Sequence, residues 1–370
     1  MEIAWFTDTW LPTKDGVVNS LLSFKRVLGK EHNIYIFAPG KENKREENIF
    51  YFRSKPYSKY PDYRIASLLP IFSKKVAKIV KELNIDIIHS HSPGVIGTYA
   101  VMASHLNSLP LVFTYHTFIQ DSVYFFSEGL QDLARKLLNT WLRWYFRRCK
   151  AVIAPSNYVA SKLKKFHDEI EVIPTGIDVK RFEEGDGSEI RKKYGKPIIF
   201  HVGRIVKEKN IDWLIDAFKI LNEKIDAVLI IGGEGPYRKE LMKKVERLAL
   251  KNIIFTGFIK DDELPSYYNA ASVFAFPSTY ETQGIVALEA MAAGAPVVAA
   301  KARAIPEFVM EGETGYLFQP GNINEFAEKL LLAMGNEGMR EKCREHARRY
   351  SIEKMAERLV DFYARVVDKN

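Results

Sequence analysis

The sequence predicts an α/β protein built from two doubly wound domains, and three observations support this class. The chain has 370 residues, which is more than a single hydrophobic core ordinarily organises. Short apolar runs alternate with segments of helical period, as expected for βαβ units around a mainly parallel sheet. The alternation begins again after about residue 180. Two Rossmann-like halves of similar size are therefore expected.

The elements of the first half follow from the period of the apolar residues. Continuous apolar runs of roughly five to eight residues are typical of buried strands. The predicted strands are 2–8, 33–39, 85–91, 110–116 and 151–156. The predicted helices, which have apolar residues at helical spacing, are 17–29, 71–83 and 130–148.

The second half repeats this arrangement. Its predicted strands are 197–203, 227–233, 252–258, 272–278 and 295–300. The polar stretch 180–189 is interpreted as a linker between the domains. The predicted domains are 1–178, joined by a returning helix at 352–370, and 179–351. Ligands of such sheets bind at the carboxyl ends of the strands, so two domains facing one another would enclose a cleft there.

Composition excludes several classes of protein. Apolar residues make up 47% and charged residues 27%, which is typical of a soluble globular chain. Two cysteines, Cys149 and Cys343, cannot form a disulfide framework or a four-ligand zinc site. The sequence begins without the basic and apolar stretches of a signal peptide and contains no apolar run long enough to span a membrane. A cytoplasmic location is expected.

The formal charge of +8 is unevenly distributed. Through Asp178 there are 24 Lys and Arg against 17 Asp and Glu, whereas the remainder has 30 against 29. The first half therefore carries +7 and the second +1. Such an excess suits a nucleic acid, an anionic membrane surface or a phosphorylated ligand, and it also serves solubility alone.

The most informative motif is PSTYETQGIVALEAMAAG at 277–294. A loop holding Glu281 follows a strand, and Gly284 begins a helix whose first amides, at Gly284 and Ile285, attract phosphate. Glu281 and Glu289 are suited to accept hydrogen bonds from sugar hydroxyls. The alternative is a helix with one acid near its start and one solvated acid.

A second motif, GRIVKEKN at 203–210, brings Arg204 and Lys209 to the end of a strand. Two cations there would stabilise a diphosphate leaving group, although a basic surface loop is the simpler alternative. Together the two motifs resemble those of retaining nucleotide-sugar glycosyltransferases of the GT-B fold, glycosyltransferase family 4. The resemblance extends over nearly the whole chain and implies that 352–368 crosses back to the N-terminal domain.

The resemblance implies roles for residues of the second half, the donor-binding domain. Glu281 would contact the donor sugar and Glu289 the ribose hydroxyls. The amides of Gly284 and Ile285 would bind phosphate and sugar, and Arg204 and Lys209 would hold the diphosphate. The loop backbone around Phe258 and Ile259 would contact the nucleobase. A dinucleotide fingerprint at 232–241 fails, because Arg238 stands at the third glycine position.

The first half, the acceptor-binding domain, contributes further candidates. Gly16 lies between a strand and a helix, where glycine permits close approach of a phosphate. His116 corresponds to the family's histidine that contacts the donor sugar and is important for transfer. Asp8 and His91 are assigned to the acceptor side. For His91 and its neighbour His89, an acceptor-side or structural role is favoured over a metal pair, because a third ligand is missing.

The predicted activity is retaining, metal-independent transfer of a hexose, with UDP-glucose the favoured donor, to a lipid hydroxyl such as that of diacylglycerol. The sequence contains no D-x-D motif for a metal-bridged diphosphate and no evident covalent nucleophile, so front-face transfer without a cofactor is expected. Within the family, 6–20 and 281–290 are most similar to diacylglycerol glycosyltransferases. The alternatives are a mannosyl- or galactosyltransferase acting on a soluble sugar, a catalytically silent nucleotide-sugar-binding scaffold and, more distantly, an epimerase.

Two basic segments suggest where such an enzyme would act. Residues 71–83 and 133–150 combine lysines and arginines with apolar residues, the latter segment with Trp141 and Trp144. Basic helices of this kind bind anionic lipid headgroups, so a peripheral position on the inner face of the cell membrane is expected. The alternative for 133–150 is a half-buried helix. A nucleic-acid partner is not expected, because no recognised motif accompanies the charge.

Overall fold

The structure, a computed structural model, describes residues 1–13, 15–57, 60–66, 70–118 and 131–369. At 57, 60–63 and 70–73 only the backbone is described. The chain divides into two compact units. Unit 1 comprises Met1–Gly176 with Ile352–Asn370, and unit 2 comprises Ile177–Ser351.

Unit 1 is a mixed sheet with helices on its faces. Its strands are β1 (Glu2–Phe6), β2 (Asn33–Gly40), β3 (Lys44–Glu46), β4 (Ile49–Tyr57), β5 (Tyr60–Ala66), β6 (Ile87–Ser90), β7 (Leu111–Thr114), β8 (Ala151–Ala154) and β9 (Ile170–Val172). Its helices are α1 (Gly16–Leu28), α2 (Pro70–Glu82), α3 (Val95–Asn107), α4 (Gln131–Phe146), α5 (Asn157–Leu163) and α14 (Ile352–Asp368).

The strand order in unit 1 is β3-β4-β2-β1-β6-β7-β8-β9, with β5 paired to β4. The pairs from β4 through β9 are parallel, and β3 and β5 run antiparallel to β4. In register, Phe6 lies opposite Ser90 and Ser90 opposite Phe113. The residues that follow β1, β6 and β7 therefore emerge together at one edge of the sheet.

Alternation along β1 shows why the sheet is covered on both faces. Ile3 and Trp5 belong to one buried cluster, which includes α14, whereas Ala4 and Phe6 belong to a second cluster on the other face. A strand buried on both sides needs a continuous apolar run, and this explains the predicted pattern. Because α14 packs in unit 1, the prediction of a C-terminal helix that returns to the N-terminal domain is confirmed.

Unit 2 is a parallel sheet in the order β12-β11-β10-β13-β14-β15. These strands are β10 (Ile198–Val202), β11 (Val228–Gly232), β12 (Ile253–Gly257), β13 (Val273–Phe276), β14 (Val297–Ala300) and β15 (Gly315–Phe318). The helices are α6 (Val179–Glu183), α7 (Ser188–Tyr194), α8 (Ile211–Asn222), α9 (Arg238–Arg247), α10 (Leu264–Ala270), α11 (Ile285–Ala292), α12 (Ile323–Met334) and α13 (Met339–Arg348).

The predicted class, two Rossmann-like α/β domains, is confirmed, but the linker prediction is wrong. Residues 180–189 lie inside unit 2, where α6 and α7 pack against α10. Phe182 anchors α6 because its ring is buried against the core. The surrounding charges, which suggested a linker, lie on the exposed faces of these short helices. The chain instead passes between the units at Gly176 and Ile177 and again at Ser351 and Ile352.

Candidate active site

Three predicted residues of unit 1 follow three neighbouring strands. Asp8 follows β1, His91 follows β6 and His116 follows β7. Because these strands are adjacent, parallel and in register, their carboxyl ends bring the three residues to the same edge of the sheet. The expectation that chemistry-bearing side chains cluster at strand ends therefore holds within this unit.

Asp8 holds the start of α3. Its carboxylate accepts hydrogen bonds from Ser92 Oγ at 2.8 Å and from the amides of Gly94 at 3.0 Å and Ile96 at 2.9 Å. Burial raises the pKa of Asp8, while these hydrogen bonds favour the ionised form and oppose that rise. The carboxylate thus satisfies amides that the helix itself leaves unpaired. The assignment of Asp8 to the acceptor remains a prediction.

His91 and His116 form a pair. His91 Nδ1 lies 3.1 Å from His116 Nε2, so one of these two nitrogens carries the shared proton. Burial lowers the pKa of His116 to about 4 and that of His91 well below its ordinary value, and the neighbouring His89 and His116 lower the pKa of His91 further. Both rings are therefore neutral near pH 7. His91 Nε2 is buried and has no partner among the described residues.

His89 has a structural role behind this pair. Its Nδ1 contacts the hydroxyl of Tyr363 on α14, and its Nε2 lies 2.7 Å from Thr114 Oγ1. Trp5 Nε1 donates to the same tyrosine hydroxyl. Because both ring nitrogens are engaged within unit 1, His89 contributes to packing. Among the described residues, no group of three or more His, Cys, Asp or Glu side chains has a metal-binding arrangement.

Neither the space nor the backbone conformation at position 16 requires a glycine. Gly16 follows Asp15, which caps α1 by accepting a hydrogen bond from the Val18 amide at 2.9 Å. A Cβ built on Gly16 meets no atom within 4 Å, and the backbone there does not require glycine. Packing within unit 1 therefore leaves room beside Gly16 at the first turn of a helix, and the approach of a phosphate there stays a prediction.

In unit 2, Lys209 and Glu281 form an ion pair. Lys209 Nζ contacts Glu281 Oε1, with 25% and 15% of the two side chains exposed, so the contact is largely shielded from solvent. Lys209 precedes α8, and Glu281 follows β13 by a short loop. The two predicted residues, 72 positions apart in sequence, are brought together.

Asn210 fixes the geometry of this pair, and the sequence prediction missed it. Its amide donates to the carbonyl of Pro277 at 3.2 Å and to Thr279 Oγ1 at 3.1 Å, so it joins the Lys209 turn to the Glu281 loop. The residue has a φ of +51°, a left-handed conformation that asparagine tolerates better than most residues. The signal available in the sequence was the position of this asparagine, directly after Lys209 and directly before the apolar helix α8.

Arg204 lies on a loop that is held from behind. Gly233, with φ +116°, and Gly235 approach this loop so closely that a Cβ would meet the carbonyl oxygens of Gly203 and Ile205 at 1.9 and 2.2 Å. These glycines therefore build a tight turn against the loop. The Arg204 side chain is exposed and contacts no hydrogen-bonding or charged partner within the described part of the chain.

Gly284 is required by backbone and by space. Its φ of +93° is left-handed, and a Cβ would lie 2.8 Å from Ile305 Cδ1 and 3.0 Å from the Phe276 ring. This conformation turns the chain into α11, whose first amides have no acceptor within the helix. The predicted anion-attracting start of this helix is therefore present, three residues after Glu281.

Glu289 lies within α11 and pairs with a residue that the sequence prediction missed. Tyr268 on α10 donates its hydroxyl proton to Glu289 Oε2 at 2.9 Å. Burial raises the pKa of Glu289, and the Tyr268 hydrogen bond and nearby Arg181 oppose that rise. Nothing in the sequence distinguished Tyr268 from an ordinary core tyrosine.

The nucleobase loop presents two different side chains. Phe258 is 66% exposed, whereas Ile259 is buried against Gly232 at the end of β11. Ile259 therefore anchors the loop from inside the unit, and Phe258 presents a large apolar ring to the surface. The prediction that the backbone here contacts a base stays a prediction.

Helix α4 is buried along part of its length and exposed along the rest. Leu142, Tyr145 and Phe146 are buried, and the Trp141 indole donates to the carbonyl of Pro93, so the C-terminal half packs into unit 1. At its other end, Leu133 and Leu137 are 55% and 63% exposed. The predicted basic residues are exposed, namely Arg135, Lys136, Arg143, Arg147, Arg148 and Lys150. Across the described ranges, no helix has the length and apolarity to cross a bilayer.

Comparison with known proteins fits this geometry. A model described as "Glycosyltransferase Family 4" matches residues 14–181, and one described as "Glycosyl transferases group 1" matches residues 185–350. An alpha-monoglucosyldiacylglycerol synthase of Streptococcus pneumoniae is 33% identical over 81% of this chain and 71% of its own length. The chain belongs to glycosyltransferase family 4. A synthase of the same name from Acholeplasma laidlawii is 30% identical over 90% of this chain and 87% of its own length.

Solved structures show the fold of this family 4 chain. Anabaena Alr3699/HepE, in complex with UDP, has a TM-score of 0.79 and 23% identity, covering 98% of this chain and 100% of that one. Sucrose-phosphate synthase from Thermosynechococcus elongatus has a TM-score of 0.79 and 20% identity, covering 100% of both chains. The GT-B fold and the prediction of an enzyme, a hexosyltransferase of family 4, are thereby confirmed, and the silent scaffold loses its support.

Proposed function

We propose that this glycosyltransferase transfers glucose from UDP-glucose to the hydroxyl of a lipid such as diacylglycerol, with retention of configuration and without a metal. The observation that carries the proposal is the Lys209–Glu281 pair, which precedes the amide-rich start of α11 and joins a phosphate-binding cation to a sugar-binding carboxylate. The names of two relatives, alpha-monoglucosyldiacylglycerol synthases, support the sugar, the acceptor and the α linkage.

The reaction we propose is front-face transfer. The bond between the anomeric carbon and the β-phosphate oxygen breaks, and the acceptor oxygen bonds to the same carbon from the same face. The acceptor proton passes to the departing phosphate oxygen, so UDP leaves as the second product. Arg204 and Lys209 stabilise the negative charge that grows on the diphosphate, and the amides of Gly284 and Ile285 contribute hydrogen bonds.

Lys209 and Glu281 act in concert in this scheme. The diphosphate competes with Glu281 for Lys209, and the carboxylate is then available to the hydroxyls of the glucose. Glu289 accepts hydrogen bonds from the ribose, and the Phe258 loop contacts the uracil. In unit 1, Gly16 admits the diphosphate, and neutral His116 bonds a glucose hydroxyl, with its orientation set by His91.

An activity assay with EDTA and a Lys209→Ala variant test whether side chains of the protein, without a metal, stabilise the diphosphate. We expect transfer to persist when EDTA replaces Mg²⁺ and Mn²⁺ in the assay. Lys209→Ala should reduce kcat by about a hundredfold or more, because one preorganised charge at a leaving group contributes roughly that much. Lys207→Ala, an exposed lysine two residues away, is the matched control and should retain activity. Loss of transfer with EDTA alone would refute the metal-independent scheme.

A donor and acceptor panel tests the specificity. UDP-, GDP- and ADP-sugars are incubated with the purified chain and either dioleoylglycerol in mixed micelles or soluble sugars. We expect a glucosyl lipid from UDP-glucose, with an α-anomeric proton in its NMR spectrum. A β-linked product would refute retention. Transfer from GDP-mannose instead would favour the mannosyl alternative, which a GDP-mannose-dependent relative of 29% identity supports.

The acceptor places the enzyme at a lipid surface, and we propose that unit 1 binds the anionic inner face of the cell membrane. The exposed leucines Leu133 and Leu137 lie one turn apart on α4, surrounded by exposed arginines and lysines. The exposed lysines of α2, Lys74, Lys75, Lys78 and Lys81, add to this charge. An apolar stripe bordered by cations suits the headgroup region of an anionic bilayer.

Vesicle sedimentation tests this surface. The chain should sediment with vesicles of phosphatidylglycerol and phosphatidylcholine, and less with phosphatidylcholine alone. Replacing Leu133 and Leu137 with serine should reduce that binding several-fold. Leu332→Ser removes a leucine of similar exposure, 54%, from α12 in the near-neutral unit 2 and is the control. Equal sedimentation of all three proteins would refute the assignment of α4.

A further inference from the structure

Glu289 is held by a single hydrogen bond. Tyr268 donates to its Oε2 at 2.9 Å, and Oε1 accepts no hydrogen bond from any described residue. The carboxylate is therefore fixed through one oxygen, and its other oxygen is available to a ligand. A glutamate side chain has three rotatable bonds, so a single fixed oxygen substantially restricts the orientations that it can adopt.

Tyr268 is itself immobilised. It is fully buried, and its ring packs against Phe182, Phe200 and Phe274 with centroid distances of 5.6, 5.3 and 5.4 Å. Phe182 belongs to α6, in the segment that the sequence suggested to be a linker. The aromatic cage gives the phenol one orientation, with its hydroxyl directed at Glu289.

The protonation states suit this arrangement. Burial raises the pKa of Tyr268 well above its ordinary value, and the adjacent Glu289 raises it further, so the phenol remains a donor. Burial alone would favour a protonated Glu289, and the Tyr268 hydrogen bond opposes this change. Tyr268 thus helps to keep an ionised carboxylate, which is the form that accepts from two hydroxyls.

We propose that Tyr268 is the positioning residue that aims the free oxygen of Glu289 at the ribose hydroxyls of the donor. The inference rests on the proposed function, which assigns the ribose to Glu289. The selectivity of the enzyme for donors with ribose hydroxyls therefore depends on Tyr268, which contacts Glu289 but has no assigned contact with the nucleotide.

The test compares UDP with 2′,3′-dideoxy-UDP by calorimetry on the full chain. The wild-type protein should bind UDP more tightly, and the ratio of the two dissociation constants reports recognition of the hydroxyls. Tyr268→Phe should reduce that ratio about tenfold, because hydrogen bonds to charged groups are among the stronger ones. Tyr267→Phe, the same chemical change at the neighbouring residue of α10, should leave the ratio unchanged.

Glu289→Ala separates the two claims. If this variant keeps the wild-type ratio, the assignment of the ribose to Glu289, and with it that part of the proposed function, is overturned. If Glu289→Ala removes the difference between the two dissociation constants but Tyr268→Phe weakens the binding of both ligands equally, Tyr268 is merely structural and the inference fails. In the Glu289→Ala background, Tyr268→Phe should have no further effect on the ratio, whatever it does to the melting temperature.

Discussion

His201 is predicted to make the protein less stable in mild acid. Its ring is 1% exposed at the end of β10, Nδ1 lies 2.8 Å from the carbonyl of Ala275, and Nε2 is buried without a described partner. Burial lowers its pKa to about 4; the hydrogen bond to Ala275 and the Glu281 charge oppose that change, and Lys209 adds to it. In the unfolded chain a histidine has a pKa of about 6.5.

The two pKa values fix the direction and the size of the effect. Above pH 6.5 His201 is neutral in both states. Below that value the unfolded chain binds a proton that the folded chain rejects until the pH falls to about 4, so the free energy of unfolding decreases with pH in this window. Between pH 7.5 and pH 5.0 the loss due to His201 is about 2 kcal/mol.

His201→Leu isolates this contribution in guanidinium unfolding at the two pH values. The variant leaves the Ala275 carbonyl unpaired, which costs about 1 kcal/mol at both. We therefore expect it to be less stable than the wild type at pH 7.5 and more stable at pH 5.0. His105→Gln, at an exposed position of α3, is the control and should follow the wild type. An equal difference between His201→Leu and wild type at both pH values would refute the reasoning.

Two further predictions concern the backbone of the site. Gly16→Ala should leave the melting temperature unchanged, because nothing lies within 4 Å of the new Cβ, yet it should weaken UDP binding several-fold. Gly284→Ala should instead destabilise the fold by about 1–3 kcal/mol. The reverse pattern would contradict both assignments. Asn210→Ala should lower both kcat/KM and the melting temperature, whereas Asn210→Gly, which relieves the left-handed backbone without restoring the hydrogen bonds to Pro277 and Thr279, should recover stability but not activity.

The central strands could be predicted because burial on both faces leaves a direct record in the sequence. The predicted runs 2–8 and 33–39 correspond to β1 and β2, and in each the apolar residues are continuous. The peripheral strands could not be predicted in this way. All three residues of β3 are exposed and charged, so this strand lacks an apolar pattern. In β4 the apolar residues 49–52 are followed by Arg53 and Pro56, and a proline within a run argues against a strand.

Site residues could be predicted where a residue has a charge that suits the chemistry and also follows a strand. Lys209 and Glu281 follow strands, carry charge and stand beside glycine-rich turns, and the structure brings them into contact. Asn210 and Tyr268 are different, because their importance lies in which partner they meet. A hydrogen bond between α10 and α11 depends on tertiary packing, and no local pattern encodes it.

The uneven charge of the two halves has a physical interpretation in the structure. In unit 2 Lys209 is matched by Glu281 in a shielded contact, so its charge acts at close range on whatever replaces that carboxylate. The lysines and arginines of α2 and α4 are exposed and scattered, and pairs such as Lys78–Glu82 at 3.6 Å are open to solvent. Exposed charges are screened beyond about 8–10 Å at physiological ionic strength, so they attract effectively only a partner that presents many charges nearby. The shielded Lys209 suits a single ligand that approaches it closely, such as the proposed diphosphate. The exposed lysines and arginines suit a surface with many negative charges, such as the proposed anionic headgroups.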